Sequence, residues 1–248
     1  MPEGKLRGAL REYVQVAALK ALYGLPKAQD LLFLGGTALR LGHGLPRFSE
    51  DLDFDAGKLS LSQWRGLWED AGHALTKRGF SLEVDAVERG SLLSGDLRFK
   101  GLLHAYGLTQ NAGEKLRIKV EANRPDYPLG SEPRVVTGYG EIVPVPFAAS
   151  GLMLAEKILA LLNREMGRDV YDLFFMAARK WTPDAGVLKA RAVENAKEAV
   201  LGRIRAWKPK KLFAMARQLE PFLFKPEEAK LVAQADALLP SALEHWKD

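Results

Sequence analysis

The chain has 248 residues, of which 47% are hydrophobic and 27% charged, as in an ordinary globular protein of one large or two small domains. It contains no cysteine, which excludes disulfides, thiol nucleophiles and cysteine-based zinc sites, and no apolar run approaches the roughly 20 residues of a membrane helix. The net charge is +5, and residues 177–248 carry all of this excess, with 14 Lys and Arg against 9 Asp and Glu. A basic C-terminal part favours a polyanionic partner. Because the N-terminus does not resemble a signal peptide, we expect a cytoplasmic protein without a membrane partner.

The N-terminal half alternates helices with short strands. Apolar residues at helical spacing predict a helix over residues 5–23 and another that Ser60 or Ser62 caps and that ends near Gly79. The remaining predictions are a buried strand at 31–34, a helix beginning at 37–41, an acid-faced strand at 51–55, and strands at 81–87, 97–104, 115–121, 135–136 and 142–145.

From Ser150 onward the pattern is helical throughout. The predicted helices cover residues 150–164, 169–180, 184–199, 209–219 and 226–239. Strands followed by helices indicate an α+β fold with two domains, residues 1–148 and residues 149–248.

The segment 35-GGTALRLGHGLPRFSEDLDFD-55 begins with a glycine turn between a strand and a helix. Gly35 and Gly36 would present backbone N–H groups at a helix N-terminus, which is a favourable position for a phosphate, and Thr37 adds a hydroxyl donor. A tight turn without a ligand is the alternative interpretation.

The same segment ends with a pair of carboxylates. Asp51 and Asp53 are two residues apart on a predicted strand, so their side chains share one face. Neighbouring carboxylates repel each other unless a cation neutralises them, and Mg²⁺ takes carboxylate oxygens while leaving room for phosphates. The segment therefore predicts a two-metal Mg²⁺ site that acts on a nucleoside triphosphate.

A two-metal site commonly includes a further carboxylate. Glu121 ends an alternating strand and is the candidate for this third metal ligand. A solvent-facing strand glutamate is the alternative. Asp55 continues the acidic face but lies at the end of its strand.

The elements G-G-T-A-L and R-F-S-E-D-L-D-F together resemble the motif of the AbiEii/AbiGii toxin family of nucleotidyltransferases, in the DNA-polymerase-β-like superfamily. A second block, 153-MLAEKILALLNREMGRDVYDLFFMA-177, matches the family's helical lysine at Lys157 and its Arg-Asp-x-x-Asp-Leu segment at residues 168–173. The two matched blocks cover about a third of the chain. The resemblance implies a nucleotidyltransferase fold with a mixed sheet in the N-terminal lobe and a helical bundle in the C-terminal lobe.

The resemblance also implies roles for residues of both blocks. Lys157 and Asp172 would take part in catalysis, and Arg168 would neutralise phosphate charge. Arg47 and Ser49 would lie at the mouth of the active site, with Arg47 on the triphosphate and Ser49 a candidate for inactivating modification. A structural salt-bridge network around Arg168, Asp169 and Asp172 is the alternative.

The segment 202-GRIRAWKPKKLFAMARQ-218 carries six basic residues and no acid. Basic groups neutralise phosphates and an exposed tryptophan can stack on a base, so this segment predicts RNA binding. The alternative is a solvated helix face with the tryptophan as a core anchor. The predicted RNA-binding residues are Arg203, Arg205, Trp207, Lys208, Lys210 and Lys211.

Several relatives in the resembled family add nucleotides to the 3′ ends of tRNA. The predicted function is therefore that of a toxin of a toxin–antitoxin or phage-defence system, which transfers a nucleotide from a nucleoside triphosphate to a tRNA 3′ end, blocks translation and has a cognate antitoxin as partner. The alternatives are a nucleotidyltransferase with a small-molecule or protein acceptor, and a non-catalytic nucleotide- or RNA-binding protein.

Overall fold

The structure is a computed structural model that describes residues 3–127 and 130–246. The chain divides into two compact units, the first formed by residues 1–44 and 48–148 and the second by residues 45–47 and 149–248. No helix within the described ranges is both long and apolar enough to cross a membrane.

The first unit contains a mixed seven-stranded sheet. Its order is β3-β4-β5-β2-β1-β7-β6, in which the β2–β5 and β1–β7 pairs are parallel and the other pairs antiparallel. The elements are α1 Glu3–Tyr23, β1 Leu32–Leu34, α2 Gly35–His43, β2 Leu52–Asp55, α3 Leu61–Lys77, β3 Leu82–Arg89, β4 Leu92–Phe99, α4 Leu102–Ala105, β5 Leu116–Asn123, β6 Ser131–Gly138 and β7 Glu141–Ala148.

Aromatic side chains fill the core on one face of this sheet. Phe33 of β1 lies between Phe54 of β2 and Phe147 of β7, at ring-centroid distances of 5.4 and 5.3 Å. Trp64 and Trp68 of α3 pack on Phe54 and are fully buried. This burial leaves the acids of β2 on the opposite face, because successive side chains of a strand alternate.

The regular secondary structure of the second unit, in its described residues, consists of helices. Its α-helices are α5 Ser150–Asn163, α6 Gly167–Ala178, α7 Ala185–Ala190, α8 Ala196–Arg205, α9 Pro209–Leu219, α10 Lys230–Ala233 and α11 Ala235–Ala242. The segment 45–47 joins this unit through an antiparallel bridge from Arg47 to Leu223 and a 3.0 Å bond from the Phe224 N–H to the Pro46 carbonyl. The prediction of an α+β protein with a mixed sheet is confirmed.

Several element predictions were wrong in their boundaries. The strand predicted over 97–104 ends at Phe99, because Gly101 adopts a left-handed φ of 71° and begins α4. The helix predicted over 184–199 is two helices, separated where Ala192 has a φ of 58° and Asn195 caps α8. The helix predicted over 226–239 is a short 3₁₀ turn followed by α10 and α11.

Candidate active site

The glycine turn brings the start of α2 against an acid of β2. Gly35 has a left-handed φ of 79°, and a Cβ added to it would lie 2.2 Å from Oδ2 of Asp53. Only glycine satisfies both the backbone conformation and this close approach. No acidic residue occupies the first turn of α2, and no side chain caps it, so the backbone N–H groups of Gly35 and Gly36 stand at the positive end of the helix.

Thr37 has a different contact from the predicted one. Its side chain is fully buried, and its hydroxyl donates a hydrogen bond to the backbone carbonyl of Asp51. In this conformation the hydroxyl is not presented to a ligand, contrary to the expectation of a phosphate donor. Thr37 instead fixes the position of the residue that begins the acid pair.

Two predicted site acids are neighbours on the central strands of the sheet, and a third precedes one of these strands. Asp53 pairs in register with Leu34 of β1 and with Glu121 of β5, while Asp51 comes one residue before β2. Asp51 and Asp53 are partly exposed, and the Glu121 side chain retains 21% exposure. The alternative of a simple solvent-facing Glu121 therefore fits the structure poorly.

Lys119 is a cation in this group that the sequence prediction missed. It lies two residues before Glu121 on the same face of β5, and its Nζ is 2.7 Å from Glu121 Oε1. Extending the β2–β5 register by one residue places Lys119 opposite Asp51. The alternation of Leu116-Arg117-Ile118-Lys119-Val120-Glu121 was the signal that could have identified it.

The arrangement of these acids fits a magnesium ion held partly by substrate. Among residues 3–127 and 130–246 no three acidic or histidine side chains form a ready metal-binding group. Mg²⁺ does not need one, because it is typically bound by one or two carboxylates and completes its shell with phosphate oxygens and water. Asp53 lies next to the helix N-terminus with Glu121 in register beside it, and Asp51 is two residues earlier, so these acids can supply such a donor set.

Ser49 belongs to the loop before β2 rather than to the strand itself. It is partly exposed, and its backbone carbonyl accepts a 3.2 Å hydrogen bond from Gln15 of α1. Because β2 begins at Leu52, the strand periodicity does not determine the direction of the Ser49 side chain.

The charged residues of the second matched block and Arg47 form a chain of alternating charges within the second unit, which is buried except at Arg164. Arg47 binds Asp172 through two hydrogen bonds of 2.7 and 2.6 Å, and Lys157 lies 2.9 Å from the same carboxylate. Lys157 also reaches Asp169 at 3.1 Å, and Arg164 binds Asp169 at 2.7 and 2.9 Å. The salt-bridge network that was the alternative interpretation is therefore present for both acids.

Burial and pairing act in opposite directions on these acids. Burial alone would raise the pKa of Asp169, but Lys157 and Arg164 outweigh it and lower that pKa to about 2. Burial also opposes ionisation of Asp172, yet Arg47 and Lys157 hold the pKa of Asp172 below its ordinary value. Both carboxylates are thus ionised at neutral pH.

Exposure limits what this network can contact. Asp172 is 0% exposed, Arg47 is 2% exposed and Lys157 is 7% exposed. In this conformation Arg47 and Asp172 touch each other rather than a ligand, which leaves their predicted roles in catalysis and triphosphate binding as predictions. Arg168 is next to Asp169 in sequence and is half-buried.

The predicted RNA-binding segment separates into two groups. Trp207 is 7% exposed and its indole N–H donates to Glu165 at 3.2 Å, so it is a core anchor in this conformation and not an exposed stacking surface. Arg203 and Lys211 also pair with Glu165, at 3.8 and 2.5 Å. The other three predicted residues are exposed, namely Arg205, Lys208 and Lys210.

Comparison with known proteins places this geometry in a family. A family model described as the nucleotidyl transferase AbiEii toxin of a type IV toxin–antitoxin system matches residues 17–246. JHP933 from Helicobacter pylori is 22% identical over 95% of this chain and 96% of its own, with a TM-score of 0.55. MenT4, a nucleotidyltransferase toxin from Mycobacterium tuberculosis H37Rv, is 21% identical over 97% of this chain and 86% of its own, with a TM-score of 0.59. No curated protein matches the chain significantly.

The family match extends over the glycine turn, the acid pair and the charged block of the second unit. At these levels of identity the structural likenesses show the fold, and the family model carries the assignment. The chain is a nucleotidyltransferase and belongs to the AbiEii family of nucleotidyltransferase toxins.

Proposed function

We propose that this toxin transfers a nucleoside monophosphate from a nucleoside triphosphate to the 3′ hydroxyl of an RNA, most specifically a tRNA, in a Mg²⁺-dependent reaction. The observation that carries the proposal is the contact of the Gly35 turn with Asp53, whose partner across β2–β5 is Glu121. The helix N-terminus attracts phosphate, whereas the carboxylates next to it repel phosphate. This combination suits a phosphate that binds together with a cation.

The glycine turn would hold the triphosphate. The backbone N–H groups of Gly35 and Gly36 donate to phosphate oxygens, and the positive end of α2 favours their charge. Thr37 contributes indirectly, because its bond to the Asp51 carbonyl fixes the start of the acid pair.

Asp51, Asp53 and Glu121 would hold Mg²⁺, and Lys119 would keep Glu121 neutralised before the ion binds. When bound, Mg²⁺ neutralises developing phosphate charge and activates the attacking hydroxyl. The acceptor oxygen forms a bond to the α-phosphorus as the bond to pyrophosphate breaks, and the hydroxyl proton passes to water. Positioning of the reacting groups and neutralisation of phosphate charge account for most of the rate enhancement in such reactions.

Lys157, assisted by Arg168, would act as a phosphate-neutralising cation, as the family resemblance implies. Asp172 is then a positioning residue, because its carboxylate fixes the Lys157 ammonium at 2.9 Å while Arg47 holds the other side. This assignment takes account of the burial of Asp172, which prevents direct contact with a substrate in this conformation.

The excess of basic residues after residue 177 supports RNA as the acceptor over a small molecule or a protein. Modified tRNA would no longer serve translation, which gives the toxic effect, and a cognate antitoxin would counteract it. A non-catalytic binding protein is not favoured, because the family is one of nucleotidyltransferases.

The test is to incubate the protein with Mg²⁺, total tRNA and each α-labelled nucleoside triphosphate, and to separate the products on a denaturing gel. We expect labelled tRNA with at least one nucleotide. Asp53→Asn should reduce labelling by more than about 100-fold, since even groups that only support metal ligands are worth 10- to 100-fold. Asp70→Asn, the same change at an exposed acid of α3, is the matched control. Label in protein or small molecules, with none in RNA, would refute the RNA acceptor.

A further inference from the structure

The helix α9 carries an exposed aromatic residue on a basic face. Its buried side consists of Leu212, Met215, Ala216 and Leu219. On the opposite side, Phe213 is 59% exposed, and the neighbouring positions Lys210 and Arg217 are exposed as well.

The spacing places these three side chains together. Lys210 lies three residues before Phe213 and Arg217 four residues after it, and residues three and four apart are neighbours on a helix surface. No acidic residue occurs between Pro209 and Leu219. The face therefore combines one apolar ring with two cations and no compensating acid within the helix.

Packing of α9 against the core does not account for the presence of a phenylalanine at position 213. The buried stripe of α9 is complete without it, and leaving a phenylalanine largely in water forgoes the roughly 1.5–3 kcal/mol that its burial would contribute. The nearby Trp207 differs, because it is buried and bonded to Glu165. Among the aromatic residues of the segment 202–218, Phe213 is thus the one whose ring is available to a partner.

We propose that the exposed face of α9 formed by Lys210, Phe213 and Arg217 binds unpaired nucleotides of the acceptor RNA, with Phe213 stacked on a base. Lys210 and Arg217 contact the flanking phosphates. Single-stranded nucleic acid is the partner that this chemistry fits, since its bases offer flat apolar faces at intervals along a polyanion. The proposal rests on the proposed function for the choice of RNA, but it concerns binding and needs no turnover.

The experiment measures the affinity of the full-length protein for a short single-stranded RNA of mixed sequence and for the same RNA carrying abasic sites. Phe213→Ala should weaken binding to the normal RNA by roughly 5- to 100-fold, and Phe213→Tyr should retain it. On abasic RNA, wild type and Phe213→Ala should bind equally. Ile142→Ala, at an exposed apolar residue of β7, is the matched control and should change neither affinity.

Substitution of the two cations should affect RNA binding differently from substitution of Phe213. Lys210→Ala and Arg217→Ala should weaken binding to both RNAs, and each should reduce the salt dependence of log K against log salt concentration by about 0.7. Equal melting temperatures of all variants would show that the exposed substitutions leave the fold intact.

Two outcomes would overturn the inference. These are unchanged RNA affinity in Phe213→Ala and an equal loss of affinity on normal and abasic RNA. Such a result alongside continued nucleotide transfer to tRNA would leave the proposed function standing. Conversely, base-dependent binding without transfer would support this face and refute the proposed reaction.

Discussion

Gly35 must be glycine for two reasons: its φ is left-handed, and a Cβ would collide with Asp53. Gly35→Ala would place a left-handed non-glycine residue, at a cost of about 1–2 kcal/mol, and would push the Asp53 carboxylate from its position. We expect nucleotide transfer to fall by more than about 100-fold. Gly140→Ala is the matched control, because Gly140 has a φ of 77° but nothing within 4 Å of an added Cβ. Urea unfolding and transfer assays check both variants, and equal activities would contradict the assignment.

The Arg47–Asp172 pair can be tested for a role beyond stability. Arg47→Met should lower the free energy of unfolding by about 3–5 kcal/mol, because it removes one partner of a buried ion pair. The double variant Arg47→Met/Asp172→Leu removes both charges and should recover most of that loss. If Asp172 positions Lys157, the stable double variant should still lose transfer. Full activity in the double variant would show that the network is purely structural.

The acid stability of the fold should depend on Asp169. Its pKa is about 2 in the folded chain and about 3.9 in the unfolded chain. Because the folded value is the lower one, ionised Asp169 stabilises the fold above about pH 4, and this contribution is lost as the pH falls towards 2. Circular dichroism melts should show a drop in melting temperature over this range that is shallower in Asp169→Asn. Parallel curves for the two proteins would contradict the ion-pair account.

Sequence reasoning at the residue scale identified the right chemistry more readily than the right partners. The alternation of residues 51–55 predicted Asp51 and Asp53 on one face of a strand; the structure places Asp53 in β2 against the glycine turn and Asp51 one residue before β2. The bond from Thr37 to the Asp51 carbonyl and the pairing of Arg47 with Asp172, 125 residues away, depend on tertiary contacts that no local pattern reports. For Trp207 the sequence left both an exposed stacking residue and a core anchor open, because a basic neighbourhood does not reveal which side chains turn inward.

At the scale of elements, we predict opposite effects on stability for alanine substitutions at two helical glycines. A Cβ on Gly167 of α6 would lie 2.5 Å from the Met215 carbonyl of α9, whereas one on Gly202 of α8 would meet nothing within 4 Å. We expect Gly167→Ala to destabilise the protein by about 1–3 kcal/mol through overpacking. Gly202→Ala should stabilise it by about 0.5–1 kcal/mol, since alanine favours the helix. Denaturant unfolding measures both, and a shift of the same sign in the two variants would contradict the packing.

Elements with local end signals were predicted well. Ser60 caps α3 through a capping box with Gln63, and Pro209 begins α9, as the sequence indicated. The two strands of the β6–β7 hairpin are longer than predicted. Prolines are normally evidence against a strand, and Pro133, Pro144 and Pro146 lie within these two strands. The break between α7 and α8 contains no glycine or proline from which it could have been predicted.

At the scale of the whole molecule, the segment 45–47 belongs to the fold of the second unit, although about a hundred residues separate it from the rest of that unit in sequence. The sequence predicted units of 1–148 and 149–248, but Arg47 belongs to the second unit. A fragment of residues 149–248 would leave Asp172 without its two-bond partner, at a cost of about 3–5 kcal/mol. We expect this fragment to unfold without cooperativity, and Asp172→Leu in the fragment to restore a cooperative transition. A cooperative wild-type fragment would contradict this expectation.

The same segment is synthesised long before the residues that it binds in the second unit. A ribosome that adds about 5–20 residues per second needs roughly 6 to 25 seconds to pass from Arg47 to Asp172. Until then Arg47 lacks its Asp172 partner, although the residues of the glycine turn and the acids of β2 have already been synthesised. A nascent chain that stalls before residue 172 would therefore carry the proposed nucleotide-holding turn without the charge network, and we expect such truncated products to be harmless to the cell that makes them.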